Sequence, residues 1–135
     1  SFLTVLDRPA PEKYQPTNST RVTGPVIRVG NQTLPVEIAD TEAERELGLS
    51  GRQPMPNMPG LLFVFETPGK YGFWMRDMNF AIDIIWIDEN WQVIGVDRAV
   101  GPETYPQVFE PSAPVKYVLK LGIDTGTRLY FDTQT

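Results

Sequence analysis

The chain contains no cysteine and no histidine in its 135 residues. Together these absences exclude thiol nucleophiles, disulfide frameworks, the usual zinc sites and histidine-based triads. Chemistry, if any, falls to carboxylates, guanidinium groups, hydroxyls and backbone amides, and no metal or cofactor is expected. Basic residues are also few. Lysine and arginine number 12 against 17 aspartates and glutamates, a net charge of −5. They are scattered singly rather than gathered into a stripe, so no nucleic-acid partner is expected. No apolar run approaches the roughly 20 residues of a membrane-spanning helix. The length is nevertheless enough for one domain with a core of its own.

What is present concentrates in one stretch, from Tyr71 to Asp88. Successive side chains on a strand point to opposite faces. Phe80, Ile82, Ile84 and Trp86 would share one face, and Ala81, Asp83, Ile85 and Ile87 the other. Both faces are apolar, as in a strand buried on two sides. Asp83 is the exception. A lone carboxylate there requires a cation, hydrogen bonds, a proton or an opening to a cleft, and Arg76, Arg45 and Arg52 are its expected partners.

Upstream, residues 7–25 carry Pro9, Pro11, Pro16 and Pro25 among polar residues, the composition of a linker. Asn18-Ser19-Thr20 is formally a glycosylation acceptor. The chain begins at Ser1 rather than methionine, so removal of an upstream segment is expected, and a membrane tether before Ser1 is the simplest form of it. Residues 1–21 are read as extension, with residues 22–135 forming the domain. Strands are expected at residues 26–29 and 34–39 around a Gly30-Asn31 turn, and at 61–65, 72–76, 82–87, 92–97, 116–121 and 128–131. Thr41-Glu42-Ala43-Glu44 is a capping box that opens one short helix, and Gly48 ends it. Residues 50–60 form a stiff proline-rich loop, and residues 101–114 are irregular, with Tyr105 and Phe109 as anchors. The expected fold is α+β but mainly β: a curved antiparallel sheet or partial barrel of about eight short strands with one short helix.

With these pieces in place, the chain resembles a bacterial and archaeal family, domain of unknown function 192. The resemblance rests on Val36-Glu37-Ile38-Ala39-Asp40-Thr41, on residues 44–52 and 60–65, on Phe73-Trp74-Met75-Arg76 and on residues 82–88. It implies a compact β-rich domain, commonly in proteins with an N-terminal signal or lipid anchor, and hence an extracytoplasmic location in the periplasm or at the cell surface. It implies no established activity. Relatives carry lysine-asparagine-threonine where this chain has Arg76-Asp77-Met78, and proline-leucine where it has Ala81-Ile82. The charge at Arg76 is kept, but an amide and a hydroxyl are lost. A helical stretch usual after the strand ending near Leu121 is also missing.

The candidate site joins Arg45, Arg52, Trp74, Arg76, Asp77 and Asp83. One reading is a polar pocket in which arginines bind an anionic or polyhydroxy ligand and Asp83 fixes their geometry. The other is a structural ion pair that locks the helix onto the sheet. Glu44 and Glu37 are a second carboxylate pair, with Glu44 committed to its cap. Asp77 and Asp83 would need about 5–9.5 Å between them to act as glycosidase acids. Extended chain would set them nearer ~20 Å apart. Trp74, Trp86 and Trp91 could offer a sugar platform, though Trp86 reads as core and Trp91 as exposed. Met55, Met58, Met75 and Met78 read as gap fillers. Asp88-Glu89-Asn90 reads as a turn, without the ligand set of a calcium loop. The leading expectation is a non-catalytic extracytoplasmic binding or accessory domain for an unknown protein or small polar ligand. The alternatives are a carboxylate-dependent hydrolase of envelope glycans and a structural subunit of a larger assembly.

Overall fold

The computed structural model describes residues 3–6, 24–29, 32–53 and 59–122. Seven strands form a single sheet: β1 (Leu3–Leu6), β2 (Val26–Val29), β3 (Gln32–Ala39), β4 (Gly60–Gly69), β5 (Ile82–Ile87), β6 (Val93–Val100) and β7 (Val115–Gly122). Their order across the sheet is β1-β2-β3-β4-β7-β5-β6. One helix, α1 (Glu42–Leu47), and a 3-10 turn at Pro102–Thr104 complete the regular structure of the described residues. The domain is therefore mainly β, as expected.

The sheet is mixed rather than antiparallel throughout. β3 and β4 run parallel, with Val36 opposite Gly60 and Ala39 opposite Phe63, while every other pair is antiparallel. Between β3 and β4 lies α1, and parallel neighbours require a crossover connection of this kind. β1 and β6 stand at opposite ends of the order with no pairing between them, so the sheet is not closed. Of the eight expected strands, residues 72–76 supply only an isolated bridge between Phe73 and Phe109. A turn from Met75 to Met78 and the left-handed Asp77 (φ 59°) end the extended run there. The expected strand at 128–131 lies outside the described residues, as do most of the proline-rich linker, Asn18, Met55, Met58 and the chain beyond Gly122. Residues 3–6, within the expected extension, pair with β2 from Leu3 opposite Val29 to Leu6 opposite Val26.

The alternation expected on β5 is what the fold uses. Phe80, Ile82, Ile84 and Trp86 pack on one face with Phe63, Val118, Met75 and Met78. Ile85 and Ile87 pack on the other with Ile27, Leu34, Val36, Leu62, Leu119 and Leu121. Full burial of a side chain of this size contributes about 1.5–3 kcal/mol. Strands β4, β5 and β7 supply most of these, whereas α1 buries none of its residues. The sheet thus carries the helix, not the reverse.

Candidate functional site

The helix is placed by its ends and by one arginine. The Glu44 amide donates to the Thr41 hydroxyl at 3.1 Å, and the Glu44 carboxylate accepts from the amides of Asp40 (3.1 Å) and Thr41 (3.2 Å). The expected capping box is therefore present, and those amides of Asp40 and Thr41 hold the Glu44 carboxyl below its ordinary value. Gly48 ends the helix at φ 53°, a left-handed conformation that suits glycine. Arg45 Nη1 donates to the carbonyls of Asp40 (2.8 Å) and Val64 (2.9 Å), and its guanidinium lies 5.4 Å from the centre of the Phe65 ring. Arg45 thereby fastens α1 to β4.

The segment after the helix is stitched to the turn that carries Arg76. Gly51 N donates to the Asp77 carbonyl (2.8 Å), Ser50 Oγ to the Arg76 carbonyl (3.0 Å), and Asn79 Nδ2 to the Arg52 carbonyl (2.9 Å). Three bonds between two loops hold Arg76 and Asp77 in place without using either side chain. Asp77 and Arg76 meet only loosely, at 3.8 Å, and both are largely exposed. Trp74 lies beside them with its ring centre 5.8 Å from the Arg76 guanidinium and 5.1 Å from the Tyr105 ring.

Between α1, β4 and residues 71–78 opens a cavity of about 870 Å³. This is within the range of small-molecule sites. Phe65, Tyr71, Phe73 and Trp74 give it an aromatic lining, and Phe65 and Tyr71 stack at 3.7 Å. Lys120 also lines it, although only 6% of that residue is exposed. Its Nζ lies 4.1 Å from the centre of the Phe73 ring and 4.7 Å from that of Phe63. Burial lowers the amine from 10.5 to about 7.

Of the six residues singled out from the sequence, Arg45, Trp74, Arg76 and Asp77 line this cavity. Arg52 and Asp83 do not. Arg52 pairs with Glu37 at 2.8 Å near the surface. Asp83 corrects the expectation most clearly, because none of Arg45, Arg52 or Arg76 is its partner. Its Oδ1 accepts from the Ala99 amide at 2.8 Å, and Oδ2 lies 3.7 Å from Arg98 Nη1. The cause is a bulge. Ile82 faces Val100 and Ile84 faces Asp97, so Arg98 and Ala99 together oppose Asp83. Ala99 takes φ 54°, and the carboxylate receives its amide. The remaining carboxylate pairs dissolve likewise: Glu44 caps the helix while Glu37 holds Arg52, and Asp77 lines the cavity while Asp83 serves the bulge.

The three tryptophans do not share a platform either. Trp86 is buried, donating Nε1–H to Asp97 Oδ2 at 2.8 Å, and Trp91, expected to be exposed, is half-buried and stacks on Tyr117 at 3.5 Å. The expected turn at Asp88 holds, its Oδ1 accepting from the amides of Asn90 and Gln92 at 2.9 Å. Among the described residues no group of three or more acids is arranged to hold a metal ion. From the sequence Lys120 reads only as one residue of the strand expected at residues 116–121. The available signal was its place beside Val118, between Leu119 and Leu121, in a chain whose strands are buried on both faces.

The description of one protein family, "Uncharacterized ACR" (DUF192), matches residues 25–131. The chain belongs to that family. Two solved structures share the fold of this DUF192 domain. A protein of unknown function from Novosphingobium aromaticivorans DSM 12444 aligns with a TM-score of 0.63 and 24% identity, over 73% of this chain and 66% of its own. At that identity the likeness shows the fold alone. A proposed transcription regulator from Sinorhizobium meliloti 1021 aligns with a TM-score of 0.62 and 28% identity, over 67% of this chain and 70% of its own. No curated protein matches the chain. Residues 44–52, 60–65 and 73–76 all contribute to the cavity wall, through the exit of α1, Phe65 and the Trp74–Arg76 edge.

Proposed function

We propose that this DUF192 domain is a non-catalytic binding module whose cavity takes a small polar ligand against Trp74, Arg76 and Asp77. The observation that carries the reading is the contrast between two arginines on the same cavity. Arg45 is committed to two backbone carbonyls, whereas Arg76 is held in position by its backbone and leaves its guanidinium beside an exposed indole. Arginine presented next to an aromatic face is suited to planar anions and polar groups. The proline-rich stretch at residues 7–25 supports an extracytoplasmic setting on an N-terminal tether. The regulator name given to the Sinorhizobium relative is not carried over, because the net charge of −5 and scattered basic residues offer no footprint for nucleic acid.

The test is a nuclear magnetic resonance titration of the isotopically labelled domain with glucose, inorganic phosphate and phenylacetate. At least one probe is expected to shift amides of residues 73–78 and 48–51 in a saturable way. Trp74→Ala and Arg76→Ala should each weaken that probe about tenfold, as loss of a stacking or charged contact implies. Shifts confined to the opposite sheet face, or binding indifferent to both substitutions, would remove the proposal.

A further inference from the structure

We infer that the ligand of this cavity is a monocarboxylate with an aromatic or apolar body, its carboxylate received by Lys120 at the aromatic floor. The inference rests on the cavity being a binding site, as proposed above, and adds which chemistry it selects. Lys120 extends from β7, where it sits opposite Leu61 on one side and Ile84 on the other. Its ammonium has two benzene faces for company, but none of the ion pairs or side-chain hydrogen bonds among the described residues includes it. Rings attract a cation through their faces, yet they accept no strong hydrogen bond, so among the described residues the N–H donors find no acceptor and are left to the solvent of the cavity. A buried charge in that state calls for an anion. None of the described acids comes within ion-pair distance of it, and Lys120 lines a cavity that could admit an anion.

Charge and shape narrow the class. Arg45 is engaged with backbone carbonyls, and Arg52 is paired with Glu37 away from the cavity. Of the three cations in the lining, Lys120 is then the buried one with no bond to a described residue, while Arg76 stands exposed beside Asp77. Glu42, Glu46, Glu66 and Asp77 also line the cavity and would oppose a doubly charged phosphate. One negative charge fits; several do not. Phe73, Phe65 and Tyr71 line the same cavity as Lys120, which suits a flat or apolar stem rather than a polyhydroxylated one.

The experiment compares phenylacetate with its neutral analogue phenylacetamide and with inorganic phosphate, at pH 7, on the native chain and on Lys120→Met. Phenylacetate is expected to move the Lys120 Cε resonance and the Trp74 indole resonance of the native chain. Phenylacetamide and phosphate should bind at least about tenfold more weakly, the discrimination a charged hydrogen bond provides. Lys120→Met keeps the side-chain volume, and should weaken phenylacetate by about the same factor while leaving phenylacetamide unchanged. The Cε measurement uses the unaltered protein and so does not depend on how the variant folds. Equal binding of acid and amide, or a motionless Cε resonance under saturating phenylacetate, would overturn the inference. If Trp74→Ala then still weakens any probe, the binding-site reading stands without it. If no probe shifts a cavity resonance, both fall.

Discussion

Placing a lysine amine over two phenylalanine rings sets a protonation preference that the intact protein should display. Unfolded, the amine keeps its ordinary value of 10.5; folded, burial lowers it to about 7. Between those values the unfolded chain binds more protons than the folded one, so stability rises with pH from about 7 towards 10.5. The cost is fully present below pH 7, with an upper limit of about 5 kcal/mol from the separation of the two values. The ring contacts offset about 2 kcal/mol of it. Lys120→Met should therefore stabilise the protein by about 1–3 kcal/mol at pH 6, with the gain shrinking as the pH approaches 10. Urea denaturation at pH 6, 8 and 10 checks this, and a gain independent of pH would contradict it. Such a stabilising substitution at a cavity-lining position is the pattern expected where a residue is kept for binding rather than for folding.

The β5–β6 hairpin shows where reading the sequence locally succeeds and where it stops. Alternation along Phe80–Ile87 correctly divides the two core faces, because strand period is a property of the chain itself. The partner of Asp83 was not legible, because it depends on a one-residue bulge in a neighbouring strand. Arg98 lies just beyond the strand expected at residues 92–97, and nothing in Asp97-Arg98-Ala99 marks a left-handed alanine. Once the bulge is known, its consequences are specific. Asp83→Ala should cost about 1–3 kcal/mol by leaving the Ala99 amide without its acceptor, whereas Asp83→Asn, which keeps an amide oxygen there, should cost less. Ala99→Gly should stabilise by up to about 1 kcal/mol, since relief of the left-handed conformation outweighs glycine's added chain entropy. Thermal unfolding of the three variants decides the matter. None should alter ligand binding in the cavity, and a binding defect in Asp83→Asn would return that residue to the site.

Across the whole molecule the decisive fact is the strand order. β7 comes last in the described chain but stands between β4 and β5, and the β5–β6 hairpin joins the rest of the sheet only through it. Each strand's existence could be read from its own residues. Their order could not, because it is fixed by contacts between distant segments. That is also why the burial of Lys120 cannot be read from its own strand: it follows from β7 being central. The same order predicts how damage spreads. Leu119 is fully buried on β7, and Leu119→Ala should cost about 2–5 kcal/mol by opening a cavity where β4 and β5 meet it. Leu47, on the helix and 61% exposed, should tolerate alanine within about 0.5 kcal/mol. Hydrogen exchange separates a local from a global effect. In Leu119→Ala the amides of β4, β5, β6 and β7 should lose protection together, because the two halves of the sheet share only that strand. Loss confined to β7, with β5–β6 protection unchanged, would mean that the hairpin holds itself and that the last strand is not what unites the fold.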